Sequence, residues 1–82
     1  MPAYIKKANQ IHFVIATDMT GRRACYFVQV DPLKEPLFVK AVKGAHINFE
    51  QYGTIIASCF GEKPSEAIKT LLKEKYNFDV DA

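Results

Sequence analysis

Along residues 10–18, QIHFVIATD, apolar positions recur at period two: Ile11, Phe13 and Ile15 fall on one side, and His12, Val14 and Ala16 on the other. That spacing predicts a β-strand. The next residues, DMTG at 18–21, predict a turn, because the Asp18 carboxylate can bond the backbone two residues on and Gly21 can adopt the positive φ that closes a hairpin. A second strand follows at 23–31, RACYFVQVD, with Ala24, Tyr26, Val28 and Val30 on one face and Cys25, Phe27 and Gln29 on the other. Residues 10–31 therefore read as one hairpin.

Past Val30 the period changes. Residues 34–43 alternate poorly as a strand, whereas Leu37, Phe38, Ala41 and Val42 make a helical stripe with Pro36 at the first helical position and Gly44 just past the end. A short helix is the preferred reading, with the β-branched Val39 and Val42 weighing against it. In HINFEQYG, 46–53, Asn48 is placed to cap a single helical turn carrying Phe49 and Tyr52. The near-continuous apolar run TIIASCFG, 54–61, predicts a third strand, of the kind that lies centrally with both faces covered. KPSEAIKTLLKEKYN, 63–77, predicts a second helix with Pro64 at its first position, Glu66 in its first turn and an apolar face of Ala67, Ile68, Leu71, Leu72 and Tyr76. Asn77 is expected to end it in the left-handed conformation, and Phe78 and Val80 to fold back on the core.

The expected fold is α+β in the order β-β-α-β-α. Its sheet is small and mainly antiparallel, with three strands, or four if Tyr4 and Ile5 contribute one. Both helices are expected on one face, and the third strand beside the first in the order 2-1-3, reached by a right-handed crossover if it runs parallel to the second. One face of the sheet would then be open.

Composition sets the bounds. At 82 residues, 49% hydrophobic and 24% charged, the chain is expected to form one small globular domain, 1–82. No apolar run reaches the roughly 20 residues of a membrane-spanning helix, and FVIA at 13–16 is too short for a secretory core, so a cytoplasmic protein without membrane partners is expected. The net charge is +2. Residues 1–43 hold seven Lys or Arg against Asp18, Asp31 and Glu35, a balance of +4; residues 44–82 hold four Lys against six acids, a balance of −2. This asymmetry is too mild to define a phosphate-binding stripe. Two cysteines, Cys25 and Cys59, far apart in sequence, suggest neither a disulfide framework nor a zinc site and read as buried thiols.

The open face is the first candidate for a functional surface. With Ile11, Phe13, Ile15, Tyr26, Val28 and Val30 against the helices, the other face would show His12, Val14, Ala16, Cys25, Phe27 and Gln29, too apolar for a wetted sheet. Such a surface fits a protein partner or a homodimer. The competing reading is RNA or single-stranded nucleic-acid binding, with Tyr26 or Phe27 as a stacking platform beside Arg22, Arg23, Lys6 and Lys7, and His12 as a further candidate binding residue. An enzymatic reading would use Cys59 as a thiol nucleophile with His46 as its base, but no local cysteine-histidine signature supports it. GEKPSE, 61–66, offers backbone donors for an anion, yet Glu62 and Glu66 flank it and capping is the better account. No cofactor or metal motif is present in the sequence, and His12 and His46 lack ligand spacing.

Overall fold

The computed structural model describes the backbone of residues 3–8, 10–42 and 48–80, and the side chains of 10–42 and 48–80. Gly44 and His46, named above as a helix stop and a candidate base, lie outside the described residues. Among these residues the elements run β1 (Ala3–Ala8), β2 (Ile11–Thr17), β3 (Arg23–Val30), α1 (Glu35–Val42), a 3-10 turn (Phe49–Gln51), β4 (Gly53–Phe60) and α2 (Glu66–Tyr76). The α+β class and the order β-β-α-β-α are as expected, and the optional strand around Tyr4 and Ile5 is β1. The helical reading of the segment after Pro32 is correct over Glu35–Val42, where Pro36 is the second residue and not the first.

The strands form one antiparallel sheet in the order β1-β2-β3-β4. This corrects the expected 2-1-3 arrangement. β4 joins β3 instead of β2 and runs antiparallel to it, so α1 and the 3-10 turn simply return the chain to the neighbouring position and no crossover is needed. β4 is consequently an edge strand, whereas its apolar sequence had suggested a central one.

The second correction concerns the helices, which pack on opposite faces. Asp18 through Arg22 close the hairpin on the Thr17↔Arg23 pair, which sets Phe13 opposite Phe27 and Ile15 opposite Cys25. Side chains directly opposite in a ladder share a face. One face therefore carries Ile11, Phe13, Ile15, Cys25 and Phe27, covered by Leu72 and Ile68 of α2 and by Phe78. The other carries Val14, Ala16, Val28 and Val30, covered by Phe38 and Val42 of α1 and by Phe49. The sequence reading had grouped Ile11, Phe13 and Ile15 with Tyr26, Val28 and Val30, an error of one residue in register that moves a whole strand face.

Several junctions follow their residues. Gly21 has φ +86° and closes the hairpin. Asn48 caps the 3-10 turn, its Oδ1 accepting the Glu50 N–H at 3.1 Å. Asn77 ends α2 at φ 52°, and the Phe78 N–H reaches back to the Leu72 carbonyl at 3.1 Å, seating the Phe78 ring in the core at 1% exposure. α2 itself starts two residues later than expected: Ser65 is its cap, with Oγ accepting the Ile68 N–H at 3.3 Å, and Pro64 lies ahead of the cap. At Gly53 a Cβ would sit 2.0 Å from the Gln29 carbonyl oxygen, so only glycine lets β4 begin this close to β3.

Candidate functional site

The five residues put forward from the sequence do not make one surface. Phe27 is fully buried, stacked on Phe13 at 4.8 Å and meeting Phe78 edge-on at 6.0 Å. His12 is equally buried on the opposite face, edge-on to Phe38 at 5.0 Å, with Nε2 3.7 Å from Glu35 Oε1 at the start of α1. Tyr26 shares the face of His12 but lies against Phe49 at 4.9 Å, and burial pushes its hydroxyl pKa up. Neither Phe27 nor His12 presents a surface on which a base can stack.

Arg22 and Arg23 are on the outside. The Arg22 guanidinium covers the Phe60 ring at 3.9 Å, and Arg23 Nε lies 3.7 Å from Glu62 Oε2. Their positions are set by the turn before them. Asp18 Oδ1 accepts the Thr20 hydroxyl at 2.6 Å, the Thr20 N–H at 2.9 Å and the Arg22 N–H at 3.0 Å. These donors, the Thr20 hydroxyl foremost, hold the Asp18 carboxyl below its ordinary pKa.

The expected open face is covered, since α1 and Phe49 occupy the side that carries Val14, Ala16 and Val28. What stays uncovered is the β4 end of that side. Ile55, opposite Val28, is 36% exposed, Phe60, opposite Ala24, is 59% exposed, and Ser58 lies exposed between them. On the α2 side, Ile56, Ala57 and Cys59 pack against the core. A bulge accommodates this split: Phe27 pairs with Ala57 and Val28 with Ile55, leaving Ile56 as the extra residue.

β4 also exposes its backbone. The Gly61 N–H donates to the Arg23 carbonyl at 2.9 Å, marking Arg23 and Gly61 as a hydrogen-bonded pair. By the alternation of an antiparallel ladder, Cys25 and Cys59 are the next such pair, while Ser58 and Phe60 direct N–H and C=O away from β3. Among the described residues no further strand pairs with that side. The strand GTIIASCF has no charged residue and no proline, the features that ordinarily blunt an edge. At its Gly53 end lies an open cleft of about 380 Å³ whose lining includes Lys34, Glu50 and Thr54.

The two cysteines, separated by more than 30 residues of sequence, are cross-strand neighbours with their Sγ atoms 3.0 Å apart. Cys25 is fully buried; Cys59 is half-buried, with its Sγ 3.6 Å from the Lys63 carbonyl. Burial, with the Cys59 thiol beside it, pushes the Cys25 pKa up to about 12. Both cysteines were expected as buried thiols: Cys25 is one, Cys59 is only partly buried, and the β3/β4 register brings together two residues that are far apart in sequence. No sequence signal announced the pairing, because it depends on which strands are neighbours.

At the proposed anion site, Ser65 caps the helix with its own hydroxyl and Glu66 lies 3.7 Å from Lys69. Among the described residues, no group of three or more His, Cys, Asp or Glu side chains is placed to hold a metal ion, and no helix is long and apolar enough to cross a membrane. Set against protein-family models, curated proteins and solved structures, the chain matches none.

Proposed function

We propose that this protein is a cytoplasmic binding module that self-associates, two copies joining antiparallel through β4 to make one continuous sheet. The observation that supports it best is the outer edge of β4: an eight-residue, uncharged, proline-free strand with exposed Ile55 and Phe60 beside it. A second copy is favoured over other partners by symmetry. In an antiparallel pair made by a two-fold axis normal to the sheet, a strand meets its own sequence, so any charge near the centre faces a like charge. β4 has none. With Ser58 facing its counterpart, the Phe60 end of one copy lies along the Gly53 end of the other, bringing Glu62 and Lys63 toward Lys34 and Glu50. Both signs are available on each side of that contact.

Nucleic-acid binding has less support, because two of its five residues, His12 and Phe27, have no exposed surface and the Arg22 guanidinium already occupies the Phe60 ring. Sedimentation equilibrium over a wide concentration range tests the proposal. The weight-average mass should rise from monomer toward dimer, and Ser58→Lys, which places like charges face to face at the centre, should hold the protein at the monomer mass with its fold intact. A wild-type chain that stays monomeric at hundreds of micromolar overturns it.

A further inference from the structure

We propose that Cys25 and Cys59 are a cross-strand dithiol that closes to a disulfide, Cys59 being the thiol that meets a low-molecular-weight disulfide oxidant and Cys25 the one that resolves it. The two residues occupy a hydrogen-bonded pair of the β3/β4 ladder, where Cα atoms are about 5.5 Å apart. That spacing lies within the range a disulfide spans without backbone movement. Their side chains point to the same face and bring Sγ within 3.0 Å of Sγ. Access is unequal: Cys25 has no exposed surface, whereas Cys59 is only partly buried, on the edge strand. An oxidant in solution therefore reaches Cys59 first.

The exchange balances as two displacements. The Cys59 thiolate attacks one sulfur of an oxidant R-S-S-R; its S–S bond breaks, a mixed disulfide of Cys59 with RS forms, and RS⁻ leaves. Cys25 then gives up its proton and its sulfur attacks Cys59 Sγ. The Cys25–Cys59 bond forms, the bond from Cys59 to the RS sulfur breaks, and a second RS⁻ leaves. Two cysteine thiols are oxidised, one R-S-S-R is reduced to two RSH, and the two cysteine protons end on those thiols. The high pKa of Cys25 keeps it protonated at neutral pH, which restricts it to the second step.

The test uses the full native chain in glutathione buffers of graded oxidised-to-reduced ratio, quenched by alkylation and read by intact mass and unreduced peptide mapping. The expected result is the joint loss of both free thiols, with an internal Cys25–Cys59 disulfide as the main oxidised species and the glutathione adduct only transient. Cys25→Ser should convert that adduct into a stable one on Cys59, and Cys59→Ser should leave Cys25 unmodified over the same period. The idea is overturned if the folded wild-type chain accumulates a lasting Cys59 adduct, links Cys59 between molecules, or leaves both thiols unreacted. The wild-type result decides the matter even if a variant fails to fold.

Discussion

β3 and β4 are both eight residues long and similarly apolar, yet they live in different surroundings. In β3, five of eight residues are buried and both faces are covered, Phe27 by the α2 side and Val28 by the α1 side. In β4 none is buried, and Thr54, Ile55, Ser58 and Phe60 are exposed. The difference arises from neighbours: among the described residues, β3 has a strand on either side and β4 on only one. Apolar content makes a strand, and its place in the ladder decides whether that content is core or contact surface. β1, the other edge, holds Lys6 and Lys7, so the sheet has one edge with charge in its sequence and one without.

This contrast can be broken from the inside outward. The largest effect is expected at the centre of β3, where Phe27→Ala removes a ring packed between Phe13 and Phe78 and should cost about 3–5 kcal/mol in chemical denaturation, enough to unfold much of the population at 37 °C. Next comes the seam between the strands: Gly53→Ala drives a methyl into the Gln29 carbonyl and should cost about 3 kcal/mol, at the upper end for overpacking, with hydrogen exchange rising first along β4. At the β4 surface, Phe60→Ala should change monomer stability by no more than about 1 kcal/mol, because the ring is mostly exposed and loses chiefly its Arg22 contact, while weakening self-association.

The smallest effect is expected at the hairpin turn. Asp18 has its folded pKa lowered, so its contribution is present above its unfolded value and is lost as pH falls through the folded one. Asp18→Ala should therefore lower the thermal midpoint slightly at neutral pH and narrow its gap to wild type under acid, as a pH series of melting curves would record.

How far the sequence reaches follows the same line. Most of what is settled by residues close in the chain was legible, the 10–31 hairpin with Gly21 at its turn, the Asn48 and Asn77 caps and the return of Phe78 to the core, though not the Ser65 cap, which starts α2 two residues later than expected. What depends on strand neighbours was not. The assumed 2-1-3 order, with both helices on one side, invented an open face, and the one-residue offset in pairing Ile11, Phe13 and Ile15 with β3 mixed the residues of the two faces, since alternation fixes which residues share a face within a strand but not across two. The apposition of Cys25 with Cys59 and the exposure of Ile55 and Phe60 follow from β4 joining β3, which no local pattern encodes. Of the residues named for a site, Arg22 and Arg23 lie at the surface beside β4, and His12 and Phe27 are core.

On the proposal above, the uncharged edge of β4 joins two copies of this chain. Sedimentation equilibrium of wild type and Ser58→Lys, side by side from micromolar to hundreds of micromolar, tests it most directly. A concentration-dependent dimer that the lysine abolishes, with melting behaviour preserved, is the predicted result. A monomer throughout, or a dimer that Ser58→Lys leaves unchanged, would contradict it.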